Sequence, residues 1–297
     1  MSSDDAFLDS LLARCTFPDP GAETLCAVSG GADSLTLLAL ACRAGLEVTA
    51  VHVDHGLRPG SAAEADVVAA AAERFGARFR AERVEVAAGS DLENRARQAR
   101  RQVLGPDAMT GHTADDQAET VLINLLRGAG PDGLAAMDPG PRHPILALRR
   151  SEAVEVCRRL GLDTIDDPMN RDQRFVRTRI RHEILPLLAE ISQRDPVPLL
   201  ARAADLVRRT QADLDAVAAD LDATDCRVLQ EAPPALAHQA LRSWLRTDDG
   251  HPPSAAEIER VMAVVRNDVV ACEITPGRRV SRSGQRLSVD TSVRSRR

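Results

Sequence analysis

The chain has 297 residues, 44% of them hydrophobic, with a formal net charge of −6 and a pI near 5.7. That length predicts a large core and two domains, and the acidic balance excludes a globally basic nucleic-acid binder, so any RNA surface must be a local patch. Six cysteines are scattered without a Cys-x-x-Cys pair, no segment reaches about 18 uninterrupted apolar residues, and the N-terminus lacks a signal-peptide pattern; this excludes a cysteine zinc site, a disulfide framework and a membrane span, and predicts a cytoplasmic protein.

Met1 to Leu12 reads as a short helix, and Pro18-Asp19-Pro20-Gly21 delivers the chain to an apolar run, Thr24 to Val28, that predicts a buried strand. Ser29-Gly30-Gly31-Ala32-Asp33-Ser34 follows, then Leu35 to Ala41, a helix ending at Gly45. A strand, a tight glycine turn and a helix N-terminus aim unpaired N–H groups and the positive end of a helix dipole at one point, which suits pyrophosphate. Two glycines let the backbone approach without Cβ interference, and Ser29 and Ser34 add hydroxyl donors. Asp33 would repel phosphates unless Mg²⁺ sits between, so its position predicts a metal-bridged polyphosphate. The pattern is not G-x-x-x-x-G-K-[ST], and the chain contains no Lys to serve such a loop. The plain alternative is that the glycines only turn the chain and Ser34 caps the helix.

Val48 to Val53 predicts a second buried strand, ending in His52-Val53-Asp54-His55-Gly56-Leu57-Arg58. Strand, helix, strand implies a right-handed parallel crossover, which places this stretch beside the glycine loop. Ser61-x-x-Glu64 opens an Ala-rich helix ending near Gly76, and Phe79 to Val86 alternates as a strand does. Ser90-x-x-Glu93 begins a helix whose Arg97, Arg100 and Arg101 share a side; this is a solvated face or a set of phosphate contacts.

Ala108 to Thr110 reads as a short strand, followed by Gly111-His112-Thr113-Ala114-Asp115-Asp116-Gln117-Ala118-Glu119-Thr120 and a helix to Arg127. Ala118, Val121, Leu122 and Leu125 form its apolar side. His112, Asp116 and Glu119, at i, i+4 and i+7, share a roughly opposite face that suits a cation or a metal. Against this stands a capping box of Thr113 and Asp116 with Glu119 simply exposed, which leaves His112 unexplained.

Gly128 to Gly133 and Pro139 to Pro144 read as loops, Glu152 to Leu160 as a helix closed by Gly161, and Asp166 to Arg171 as a break. Arg174, Arg177, Arg179 and Arg181 then crowd around Phe175 and Val176, a local electrostatic footprint. Asp195-Pro196-Val197-Pro198 reads as a boundary. Beyond it come helices over Leu199 to Leu221 and Pro233 to Leu245, with Trp244 in the core, and a third capped by Ser254-x-x-Glu257. Val269 to Ile274 and the runs around Ser283-Gly284 read as strands, with Arg278, Arg279, Arg282 and Arg286 among them. The expected fold is α/β: a Rossmann-like parallel-sheet domain over 1–190, then a smaller, mainly helical domain with a terminal β-hairpin over 191–297.

The sequence at 29 to 34 resembles the signature of the N-type ATP pyrophosphatases, which split ATP between the α- and β-phosphates to adenylate a substrate. With His52 to Arg58, Gly111 to Gly128, and Asn170 with Arg177 to Pro186, the set is similar to the tRNA(Ile)-lysidine synthetase family. The resemblance implies a ligase in which C2 oxygen of the wobble cytidine of tRNA(Ile) attacks the α-phosphate of ATP, and the ε-amine of free lysine then displaces AMP. It implies ATP on Ser29, Gly30, Gly31, Ala32, Asp33, Ser34 and His52, and Mg²⁺ on Asp33. Lysine falls to His112, Asp116 and Glu119, and tRNA to Arg177 and Arg181. Asp33, His112, Arg97 and Arg177 are the catalytic candidates, and a homodimer is an allowed assembly. Gln102 stands where the family pattern suggests Tyr, and the end at Arg297 matches a short form. Rivals are a tRNA thiolase of the same superfamily, disfavoured by the cysteine pattern, an amidating ligase, and a nucleotide sensor without chemistry.

Overall fold

Residues Glu23–Ala27 (β1), Glu47–Asp54 (β2), Arg78–Arg83 (β3) and Met109–Thr110 (β4) pair in parallel in the order β3-β2-β1-β4. The computed structural model describes residues 3–54, 62–84, 102–166, 172–247, 253–275 and 277–291. The stretches 55–61, 85–101, 167–171 and 248–252, which hold His55 to Arg58, Arg97 and Asn170, lie outside the described residues. Cys26, Val48, Ala50 and Val51 are buried in the central strands, as expected of parallel strands covered on both faces. The chain leaves β1 for β2 and β3, then returns to the other side of β1 as β4. The sheet order therefore reverses between β1 and β4, and the crevice beyond their carboxyl ends is where such sheets take ligands.

Among the described residues, the helices that pack around this sheet include Ser3–Leu12 (α1), Ala32–Arg43 (α2), Ala62–Arg74 (α3), Ala114–Leu126 (α4) and Arg150–Leu160 (α5). α2 is buried along its length, with Leu35, Leu37, Leu38, Leu40 and Ala41 in the main core. The Thr36 hydroxyl donates to Ala153 O at 3.1 Å, tying α2 to α5. Gly161, with φ +58°, closes α5 as the sequence predicts. One difference lies in the stretch read as a loop over 128–133, where Pro131–Leu134 forms a single helical turn; proline is suited to a first helical position.

Val176–Arg179 (α6) and Leu185–Ser192 (α7) are joined by a π-helical turn, Ile180–Ile184. The cause is local. Pro186 has no N–H to offer His182 O, and its ring would crowd that carbonyl in a regular α-turn. The backbone widens instead, so that Leu185 N–H reaches Ile180 O. Ile180 and Leu185 are both buried, whereas Ile184 is exposed. The apolar stripe therefore advances by five residues at this point rather than four.

Pro196–Ala218 (α8) starts at the proline pair, which the first turn of a helix tolerates. The chain divides into two compact units, 1–129 with 133–204 and 130–132 with 205–297. In the second unit, Cys226–Glu231 (α9), Pro234–Trp244 (α10) and Ala255–Arg266 (α11) accompany an antiparallel sheet of Ala271–Thr275 (β5), Arg278–Ser283 (β6) and Arg286–Asp290 (β7). Its core is apolar, with Leu229, Leu241, Leu245, Val261, Val264, Val265 and Val280 almost fully buried and Trp244 packed at the edge. Ser254 and Glu257 form the expected capping box. The six-residue α9 does not emerge from sequence periodicity; Asp225, whose Oδ1 accepts from Arg227 N at 2.8 Å, is its cap. The parallel α/β sheet, the helical second part and the closing antiparallel strands are the fold that the sequence predicts.

Candidate active site

The glycine loop sits at the carboxyl end of β1. Gly30 has φ +85°, and its Cα faces Ile165 so closely that a Cβ there would lie 2.2 Å from Ile165 Cδ1. Its carbonyl accepts from Ile165 N at 2.9 Å. Glycine is required on both counts. Gly31 is the extended N-cap residue of α2 and has no side chain to cap it, so the first-turn N–H groups have no intrahelical acceptor. Ser34 Oγ donates to Gly31 O at 2.9 Å, accepts from Ser29 N at 3.2 Å and lies 3.3 Å from Ser29 Oγ. The two serines thus hold the shape of the loop, and the hydroxyl of Ser29 stands at its mouth.

Asp33 lies in the first turn of α2. Its Oδ2 receives Arg150 Nε at 3.4 Å, while Oδ1 is buried with no protein partner. Burial first, and the neighbouring Asp116 carboxylate, push its carboxyl up to about 6 against the opposing pull of Arg150. A buried hard oxygen without a donor, beside a helix N-terminus, fits Mg²⁺, which binds through one or two carboxylates plus phosphate oxygens. His52 is buried at the end of β2 with Nδ1 3.0 Å from Val28 O. The carbonyl can only accept, so Nδ1 carries the proton and the buried Nε2 is an acceptor with no protein donor.

The second motif touches the first directly. A Cβ on Gly111 would lie 2.8 Å from Asp33 O, so the backbone after β4 runs against the first turn of α2. His112 Nδ1 is 2.7 Å from Thr110 Oγ1, and its ring meets His143 edge-on with centroids 5.2 Å apart. Thr113 and Asp116 do form a capping box: Asp116 Oδ2 accepts from Thr113 N at 2.9 Å and Thr113 Oγ1 at 3.0 Å. Asp116 Oδ1 accepts from Arg150 at 2.9 Å. Burial acts to raise its carboxyl, but Arg150, His112, the Thr113 N–H and Arg177 together hold it below the usual range.

One expectation for α4 needs correction, and the plain alternative fails at one point: Glu119 is not exposed, its side chain being 0% accessible. Leu125, assigned to the apolar side, is instead 57% exposed, because the site-facing side of the helix is buried under charged partners rather than left to solvent. Glu119 is the centre of that cover. It accepts from Arg181 Nε at 2.7 Å and Nη2 at 3.0 Å, and from Arg150 Nη1 at 3.1 Å. Arg177 Nε is 3.8 Å away, with Arg177 Nη2 donating to Thr120 Oγ1 at 3.1 Å.

Arg150 is the member of this cluster that sequence reading missed. It bridges Asp33, Asp116 and Glu119 at once, and these three raise its pKa although burial opposes them. The neighbouring Asp115 sets it in place by accepting from Arg150 N at 2.9 Å and from Arg149 Nε at 3.0 Å. Two arginines at the start of a helix carry no sequence signal for this, since the contact is made across more than thirty residues. The six thiols are all shifted up by burial, Cys15 and Cys26 to about 12 and Cys42 to about 11, so they are protonated packing groups.

A family model described as a PP-loop domain matches residues 7–188, and one described as a TilS substrate binding domain matches 225–288. The chain is 40% identical to a tRNA(Ile)-lysidine synthase of Nocardia farcinica, covering 93% of this chain and 95% of that one. It is 41% identical to one of Rhodococcus jostii, covering 76% and 74%. Among solved structures, the U34-tRNA thiolase NcsA from Methanococcus maripaludis matches with a TM-score of 0.56 at 16% identity, covering 69% of this chain and 80% of that one; this likeness is one of fold. With a PP-loop domain on the sheet and a relative aligned over 93% of its length, the chain belongs to the tRNA(Ile)-lysidine synthase family.

Proposed function

We propose that the crevice beyond β1 and β4 joins free lysine to an adenylated cytidine. The chain is a ligase that uses ATP to form lysidine on tRNA(Ile); the assignments to individual residues are our reading. The single observation that carries them is the reach of Arg150, which touches Asp33 of the glycine loop and both Asp116 and Glu119 of α4. A nucleotide's phosphates and an amino acid's ammonium would therefore meet within the span of one guanidinium.

In this reading the first-turn N–H groups of α2 and the hydroxyl of Ser29 receive the phosphates, and the Nε2 of His52 accepts from a nucleotide donor. Asp33 would hold Mg²⁺, which when bound offsets charge on the phosphates. Fixed donors aimed at developing charge provide much of the rate in such transfers. His112, Asp116 and Glu119 receive lysine, and the imidazole takes a proton from the ε-amine, which must be neutral to attack. Arg177 and Arg181 switch between Glu119 and the phosphates of ATP or tRNA. Arg97, outside the described residues, remains a candidate for contact with the triphosphate or the RNA. In the second unit, Arg278 and Arg282 donate to the carbonyls of Leu245 and Val265; the exposed Arg279 is available to an RNA backbone.

No helix among the described residues is long and apolar enough to cross a membrane; we place the enzyme in the cytoplasm with its tRNA. Light scattering distinguishes a monomer from the homodimer that the reading allows. The decisive assay incubates the protein with unmodified tRNA(Ile), ATP and labelled lysine. Label should enter the tRNA with release of AMP and pyrophosphate, and Asp33→Ala should abolish incorporation. A nucleotide sensor would incorporate nothing, and a thiolase would ignore lysine.

A further inference from the structure

The arginine that bridges the two motifs occupies the place a substrate cation needs. Asp116 Oδ1 and Glu119 Oε1 both receive Arg150, at 2.9 and 3.1 Å, with Arg181 sharing them at 3.6 and 2.7 Å, and the Arg150 guanidinium extends to Asp33 in the phosphate loop at 3.4 Å. An ammonium cannot take both carboxylates while Arg150 stays. Its one positive charge sits among three carboxylates, and the position next to a helix N-terminus prepared for polyphosphate offers it a fourth anionic partner.

We infer that Arg150 couples the two substrates: ATP phosphates draw its guanidinium off Asp116 and Glu119, and only then are those carboxylates open to the ammonium of lysine. This rests on the reading above and makes Arg150 a positioning residue that imposes an order, nucleotide before lysine. Asp115 serves it by anchoring its backbone N–H, so the side chain swings from a fixed root. Glu119 also accepts from Arg181, which limits the cost of moving Arg150 away until phosphates draw that arginine off as well. The order also protects the chemistry, because lysine gains its site only where there is an adenylate to receive it.

The test is lysine affinity by calorimetry on the full chain, with and without α,β-methylene-ATP, which cannot release pyrophosphate. The wild type should bind lysine about tenfold more tightly with the analogue, within the usual range of coupling between sites. Arg150→Gln should bind lysine equally well with or without it. Arg150→Lys, which keeps the charge and guards against a folding defect in the glutamine variant, should retain part of the effect, and Asp115→Asn should weaken it. Lysine affinity in the wild type indifferent to the analogue, or full coupling surviving in Arg150→Gln, overturns the inference while leaving lysine incorporation intact. Absence of both lysine binding and incorporation removes the underlying assignment and this inference with it.

Discussion

Charge is used in opposite ways in the two compact units. In the first, Asp33, Asp116 and Glu119 are withdrawn from water and shared among Arg150, Arg177 and Arg181, with Glu119 fully inaccessible. In the second, ion pairs such as Asp222 with Arg286 and Arg266 with Asp268 lie on the surface around an apolar core. A buried ion cluster is a poor way to gain stability, because desolvation offsets most of the attraction and well-packed apolar residues often do as well. Its presence at a ligand crevice is what function requires. The second unit has no such cluster among its described residues, and its stability comes from packing.

The sharpest way to break this contrast is at Glu119. Glu119→Ala leaves three arginines around an uncompensated site and should cost about 3–5 kcal/mol in chemical denaturation, with loss of lysine incorporation. A variant of unchanged stability would mean that the cluster is not held by charge. Asp33→Asn removes a carboxylate whose Oδ1 has no protein partner, so the fold should survive while AMP release falls by about 10²–10³-fold, the scale of losing one aimed electrostatic group. Here stability and activity should separate.

The second unit should behave in the reverse sense. Leu241→Ala, in a fully buried position, should cost about 2–5 kcal/mol with no change in the ATP-binding affinity of the first unit. The smallest effect is expected at Asp222. Hydrogen bonds from the Thr224 hydroxyl and from Arg286 hold its carboxyl down to about 2. A depressed carboxylate stabilises the fold above its ordinary value and loses that contribution as pH falls towards 2. Wild type and Asp222→Asn should therefore differ only slightly at pH 7 and converge in acid unfolding near pH 2.

The sheet and the glycine loop were legible because their signals are local. An apolar run, Gly30-Gly31 and a helix start lie within about twenty residues, and the parallel crossover then fixes the end of the sheet at which they act. The spacing of Asp116 and Glu119 placed both on one face of α4, because helical geometry sets that face, whereas His112 stands before the N-cap Thr113, outside the helix. What it could not show is that the face is already filled. Arg150 and Arg181 arrive from α5 and the π-helical turn, and such contacts are set by tertiary packing, for which a single sequence offers no period. Leu125 was misassigned for the same reason: helical spacing says which residues share a side, not which side the fold covers.

The π-helical turn at Ile180–Ile184 has a consequence for how this stretch can change over time. Arg177 and Arg181 before and within it face Glu119, while Leu185 after it, with Leu188, faces the core. Removing one residue there would rotate everything downstream by about 100°, turning Leu185 and Leu188 off the core or the arginines away from Glu119. Insertions and deletions should accordingly be purged from this segment even where substitutions are accepted. Its length, rather than any one side chain, is the inherited quantity.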